Sequence, residues 1–327
     1  MINFLITFNL NLMVFIQNLG NWLLPVMNFF TFLGQEEFYL LVMPAIFWCV
    51  DSTLGIRLGF MLLMSANLNS ILKWIFHMPR PYWVFPENIS AYQIETSFGM
   101  PSGHAQNAMS LWGLIAKKNQ RKWSTVIFSI VILAIGFSRL YLGVHSVYDI
   151  VIGWLVGYLL LWIYIRYEAR VIKWFHQFSY TKQLLLIFLA SLLCIVIGYG
   201  IATTFSHSAI PRSWLINAIA EDPAHQPFNP FSIKGLISNA AVFFGLMGGV
   251  LILTQKEPYH PSGKIWQRIL QYLIGLLGVI VIWAGLRMIF PDGETFIPMI
   301  FRYIRYFLVG FWVSWGAPNT FIKLNLK

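Results

Sequence analysis

The sequence predicts an all-α integral membrane protein, and three observations carry that reading. Hydrophobic residues make up 58% of the 327-residue chain and charged residues only 10%, against about 25% charged in a soluble domain. Apolar runs approaching the roughly 20 residues needed to cross hydrocarbon recur along the whole length. The 22 Lys and Arg residues gather in short groups between those runs, as orientation signals do, and not along one face as in a nucleic-acid binder. The formal net charge of +10 is therefore a membrane signal, and no nucleic-acid partner is expected.

Ten runs are expected to be spans: Phe4 to Leu24, Phe38 to Val50, Leu54 to Leu72, Ala105 to Ala116, Ser124 to Leu142, Val147 to Ile165, Leu184 to Thr204, Leu236 to Thr254, Ile269 to Phe290 and Ile297 to Trp315. The second and fourth are short, so their polar flanks continue the helices into the interface or a protein-lined cavity. The first carries Asn11, Asn18, Asn21 and Asn28 on roughly one face and lacks a basic start or a small-residue cleavage site. It reads as a retained helix and not as a cleaved signal. A basic and aromatic stretch from Arg170 to Lys182 follows the sixth run, which divides the chain into a six-span core (1–170) and a further four spans (171–327). Cys49 and Cys194 lie inside apolar runs and are expected to be free thiols.

Orientation follows from the excess of Lys and Arg in cytoplasmic loops. The loop Lys117-Lys118-Asn119-Gln120-Arg121-Lys122 is the strongest such signal. Alternation from it places 14 of the 22 basic residues inside and nine of the 12 acidic residues outside.

Three polar strings interrupt the apolar sequence within 77 residues: Lys73-x6-Arg80-Pro81, Pro101-Ser102-Gly103-His104 and Ser138-Arg139-x5-His145-x3-Asp149. By alternation all three fall at the same, extracytoplasmic end. Lys73, Arg80 and Arg139 are fixed cations able to hold phosphate oxygens. Pro79 and Pro81 break the helix after Lys73, so that Arg80 turns back toward it. Ser102 is expected to cap a helix whose free amides, with Gly103 allowing close backbone approach, form an anion site. His145 and His104 can serve as nucleophile and general acid, with Asp149 one turn on from His145 to orient its ring. Taken singly, a capping aspartate, a capped helix start and a snorkelling lysine explain these residues too. No metal and no cofactor are implied, since the fixed cations neutralise the transferred group. His207, His225, Glu221 and Asp222 share one outer loop and read as solvated. Arg302 and Arg305 are spaced i, i+3 in the tenth span and Arg287 ends the ninth near the same outer boundary, as snorkelling residues or as contacts to a substrate headgroup.

The order and spacing of the three strings resemble the type 2 phosphatidic acid phosphatase family, which shares a superfamily with vanadium haloperoxidases. The resemblance covers roughly Phe32 to Arg166. It implies a six-helix phosphatase core with His145, His104 and Asp149 catalytic and Lys73, Arg80, Ser102, Gly103 and Arg139 holding phosphate. It further implies a lipid phosphate or diphosphate as substrate and a phosphohistidine intermediate. The stretch Phe32-Leu33-Gly34-Gln35-Glu36-Glu37-Phe38-Tyr39 is similar to the sphingosine-phosphate phosphatase branch, whereas Gly103 is the usual residue of bacterial lipid phosphatases. A lipid-to-lipid phosphotransferase, or a lipid transporter or scramblase working through the last four spans, is the alternative reading. Oligomeric state is not legible.

Overall fold

Helices account for 79% of the described residues. The computed structural model describes residues 2–207, 210–221, 229–255 and 259–326, with side chains from Asn9 onward, and no strand occurs among them. Asp222, His225, Lys256, Glu257 and Lys327 lie outside the described residues. The helices are α1 (Ile2–Gln17), α2 (Leu24–Phe32), α3 (Glu36–Cys49), α4 (Ser52–Phe76), α5 (Pro81–Val84), α6 (Gly103–Asn119) and α7 (Lys122–Tyr141). There follow α8 (Val147–Phe175), α9 (Tyr180–Ser206), α10 (Arg212–Glu221), α11 (Lys234–Thr254), α12 (Ile265–Ile289), α13 (Phe296–Phe311) and α14 (Ala317–Lys323).

Among the described residues, seven helical stretches are long and apolar enough to cross a membrane, so the protein is a multi-span integral membrane protein. The expected count of ten needs adjustment at three places. The first span is a pair of helices, Asn9–Gln17 and Asn21–Phe32, bent by 82° at Gly20, whose φ of 106° only glycine adopts without strain. Helix α3, with 14 residues, and α6, with 17, stay short of a full crossing. The remaining expected spans match α4, α7, α8, α9, α11, α12 and α13. Both cysteines are free.

The chain packs as two compact units built from interleaved stretches. One comprises Met1–Phe38, Leu68–Tyr164 and Gly200–Ser232; the other comprises Tyr39–Asn67, Ile165–Tyr199 and Ile233–Lys327. Residues beyond the sixth span thus pack with the first unit. There, Asn217 donates to the Trp83 carbonyl (2.8 Å) and Trp74 to that of Pro230 (3.1 Å), while the Phe231 ring meets Phe98 edge-on at 4.9 Å. In the second unit, Trp48 is fully buried in an apolar cluster with Phe47, Tyr259 and Phe321 and donates to the Val313 carbonyl (2.8 Å). Glu168 accepts from Arg57 there at 2.7 Å.

Within the first unit, two glycines one turn apart bring α8 against the start of α6. A Cβ on Gly153 would lie 2.7 Å from the Ser102 carbonyl oxygen, and one on Gly157 would collide with the carbonyl of Gln106. Backbone cannot step aside as a side chain can, so small residues are required at this contact. Gly157→Leu is expected to destabilise the protein by about 1–3 kcal/mol, the usual cost of overpacking, and to separate His104 from His145. Thermal unfolding in detergent, with activity measured on the folded fraction, checks both effects.

Candidate active site

Helix α4 delivers Lys73 in its last turn and stops at Phe76. His77 takes a positive φ of 36°. Arg80 is extended (φ −81°, ψ 153°) just ahead of Pro81, as a residue before proline should be. The chain is thereby turned back as the two prolines predict. Arg80 is fully buried and Lys73 is 8% exposed.

The second string forms the expected helix start. Ser102 is the N-cap of α6, its hydroxyl accepting from the Ala105 amide at 3.5 Å. Gly103 faces Asn69, whose Oδ1 would lie 3.1 Å from a Cβ at that position. Asn69 donates to the Pro101 carbonyl (3.1 Å) and to Gln106 Oε1 (2.9 Å), pinning the turn that presents His104. Nothing in the spacing rules singled out Asn69. The available signal was a run of polar residues, Asn67, Asn69 and Ser70, inside an otherwise apolar helix.

The third string bridges α7 and α8. Arg139 and Ser138 are fully buried near the end of α7, His145 is 1% exposed in the connection, and Asp149 is 2% exposed in the first turn of α8. The Asp149 backbone carbonyl accepts from the Ser102 amide at 2.9 Å, tying the second and third strings together. Asp149 also caps its own helix: its Oδ2 accepts from the Ser146 amide (2.7 Å), and its amide donates to Ser146 Oγ (3.2 Å). The same Oδ2 lies 3.5 Å from His145 Nδ1, beside the ring though without a hydrogen bond to it. The other ring nitrogen, Nε2, lies 3.3 Å from Arg80 Nη1. A guanidinium only donates. Nε2 therefore carries the lone pair and Nδ1 the proton facing Asp149. Burial, followed by the charges of Arg80, Arg139, Lys73 and His104, holds the His145 pKa well below the usual histidine value, which keeps the imidazole neutral at pH 7.

The three cations expected to bind phosphate do converge, and one loop of this chain supplies acceptors to all of them. Lys73 donates to Ser97 Oγ (2.8 Å). Arg80 donates to the Ser97 carbonyl and hydroxyl, to the Phe98 and Val144 carbonyls and to Glu95. Arg139 donates to Thr31, Gln93 and Glu95. Burial would raise the Glu95 pKa, but Arg80, Arg139, His104 and Lys73 overcome it and hold the group below the ordinary carboxylate range. Thr31, Gln93, Glu95 and Ser97 were not singled out by sequence. Among the described residues, Arg139 Nε, His104 Nε2 and His145 Nδ1 are buried without a hydrogen-bond partner. No three His, Cys, Asp or Glu side chains of the described residues cluster as a metal-ligand set.

Arg287, Arg302 and Arg305 lie in the second unit. Arg302 donates to the Lys234 carbonyl (3.1 Å) and Ser238 Oγ (2.9 Å), and both Arg302 and Arg305 stand over the Tyr306 ring, at 5.4 and 5.2 Å. Arg287 stands over Trp283 at 5.5 Å. His207 and Glu221 are exposed.

Residues 54–173 match the model of the PAP2 superfamily, and residues 237–327 match a second one described as the PAP2 superfamily phosphatase transmembrane extension. The chain belongs to the PAP2 superfamily. It is a membrane phosphatase of that superfamily, and the resemblance, read from Phe32 to Arg166 on motifs alone, extends through the last spans as well. A glucose-6-phosphatase 3 of Bos taurus is 26% identical over 90% of this chain and 88% of its own length. A probable sphingosine-1-phosphate phosphatase of Dictyostelium discoideum is 32% identical over 38% of this chain and 34% of its own length. Phosphatidylglycerophosphatase B of Bacillus subtilis is 28% identical over 48% of this chain and 80% of its own length. The chain thus spans most of the first and third relatives and about a third of the second.

Proposed function

We propose that this PAP2 phosphatase hydrolyses a lipid phosphate monoester in two displacements through a phosphohistidine on His145. The observation that carries the reading is the placement of the His145 ring, with Nε2 3.3 Å from Arg80 and Nδ1 3.5 Å from Asp149. In the first displacement the Nε2 lone pair attacks phosphorus, and the bond to the ester oxygen breaks. The leaving alkoxide takes a proton from His104. Asp149 stabilises the positive charge that develops on the ring as Nε2 bonds to phosphorus. In the second, neutral His104 accepts a proton from water, which attacks phosphorus and breaks the P–N bond, so that inorganic phosphate leaves and His145 is restored. Lys73, Arg80 and Arg139 spread the charge of the three equatorial oxygens throughout, with Ser102 and Gly103 at the helix start that faces them. We place this chemistry in residues 1–170 and assign residues 171–327, with Arg287, Arg302 and Arg305, to substrate selection.

The membrane setting and the names of the Dictyostelium and Bacillus relatives favour a lipid substrate. A second reading, a soluble sugar phosphate, is favoured by the bovine glucose-6-phosphatase 3 match along 90% of this chain. Initial rates on sphingosine 1-phosphate, phosphatidic acid, phosphatidylglycerol phosphate and glucose 6-phosphate in one detergent separate the two. A kcat/KM at least tenfold higher for one of the lipids supports the first, and the reverse order replaces it with the second.

Because side chains supply all the charge neutralisation in this scheme, activity is expected to survive EDTA and to be inhibited by vanadate, which takes the trigonal-bipyramidal geometry of the transferred group. Loss of activity on chelation that Mg2+ restores would contradict metal independence. The site is also expected to face the extracytoplasmic side, opposite the Lys117 to Lys122 loop. In intact cells, a cysteine replacing the exposed Glu87 should react with an impermeant maleimide and one replacing Asn119 should not; the opposite pattern inverts the orientation.

A further inference from the structure

The stretch from Gln93 to Ser97 meets all three cations with alternate residues. Gln93 Oε1 accepts from Arg139 Nη1 at 2.7 Å, Glu95 lies between Arg139 Nη2 and Arg80 Nη2, and Ser97 Oγ accepts from both Lys73 and Arg80. The intervening Ile94 and Thr96 are exposed, so this irregular loop turns every second side chain toward the cations. Of the acceptors so presented, Glu95 alone is charged. Its two carboxylate oxygens sit on the same pair of guanidinium groups that the proposed mechanism requires for two oxygens of the substrate phosphate.

We infer that Glu95 is a resident anion of the phosphate cradle, a side-chain gate that substrate phosphate must displace and that closes again behind departing product. The inference rests on the reading of Lys73, Arg80 and Arg139 as phosphate ligands. The loop backbone is the fixed part of this device. The Tyr82 hydroxyl bonds both the amide (3.2 Å) and the carbonyl (3.0 Å) of Glu95 itself. On one side Tyr92 stacks on Tyr141, and on the other the Gly99 amide donates to the Met78 carbonyl. What can move is the Glu95 side chain, which is 27% exposed while Arg80 and Arg139 are not exposed at all. It can turn toward water; the arginines cannot. A carboxylate carries one negative charge and a phosphate monoester near neutral pH carries close to two, so the substrate is the stronger ligand for the pair. Between turnovers the gate keeps two buried like charges neutralised. By lowering the fraction of protein with a free cradle, it weakens the apparent affinity for every phosphate ligand, inorganic phosphate product included.

The test is the affinity of Glu95→Gln for inorganic phosphate and vanadate, each measured as a competitive inhibition constant and as a ligand-dependent rise in melting temperature. With the charge removed, both anions should bind at least about tenfold more tightly than to the original protein, the size expected for losing a charge-assisted contact. Glu95→Asp keeps the charge but withdraws it from Arg139, so a smaller tightening in the same direction is expected. It supplies the answer if the glutamine variant does not fold. Unchanged or weaker anion binding in the folded variants overturns the gate and leaves Glu95 a positioning residue for the two arginines. Trapping phosphate on His145 keeps the two readings apart. Label on His145 with unchanged anion affinity removes the gate and spares the mechanism, whereas tighter anion binding with label elsewhere does the opposite.

Discussion

His145→Ala should abolish phosphate release, with a loss on the order of 10⁶-fold in kcat, the size seen when the nucleophile of a covalent mechanism is deleted. The expectation rests on position. The ring is 1% exposed and bracketed by Asp149 and Arg80, so no other imidazole can take its place without rebuilding both contacts. Removing it opens a small polar gap and leaves every cation of the cradle in place. Vanadate should therefore still bind the folded variant, and melting temperature with and without vanadate distinguishes a dead enzyme from an unfolded one. Activity within about a hundredfold of the original protein would take His145 out of the nucleophile role.

Replacing His104 with Ala should cost about 10²–10⁴-fold, the usual worth of general acid-base assistance, and the cost should depend on the leaving group. His104 Nε2 is a buried nitrogen without a partner among the described residues, at the start of a helix held by Ser102 and Asn69. A lipid alkoxide is a strong base and needs its proton, whereas p-nitrophenolate leaves unaided. The first displacement of a p-nitrophenyl ester should consequently be nearly normal in the variant, while breakdown of the phosphoenzyme, which needs an activated water, stays slow. A burst of p-nitrophenol followed by slow turnover is the expected trace. An equal loss on alkyl and aryl substrates with no burst places His104 outside both proton transfers.

The sequence was sufficient for the helices and for the three strings, because each of those signals is local. Apolar length marks spans, Ser102 marks a helix start, and the prolines flanking Arg80 dictate a reversal whatever surrounds them. Alternation of ten full spans led to the expectation that the strings meet at one end; they do meet, although α3 and α6 stay short of a full crossing. The acceptors that face the cations were not legible. Glu95 lies nine residues before His104 in a loop without regular structure, and its partners Arg80 and Arg139 are 15 and 44 residues away; only tertiary packing brings them together. Asn69 was concealed in a different way, as one polar residue among several on an apolar helix. The packing of Asn217, Pro230 and Phe231 onto Trp83, Trp74 and Phe98 likewise depends on contacts between positions more than 100 residues apart, which no window along the chain detects.

The central claim is a covalent bond between phosphorus and His145, and rapid acid-free quenching of the protein during turnover of a phosphorus-labelled substrate tests it most directly. Peptide mapping should then find an alkali-stable, acid-labile phosphoryl group on the peptide containing His145, present during turnover and lost when substrate is exhausted. Label on any other side chain, or a turning-over protein with no more label than His145→Ala, would contradict the account.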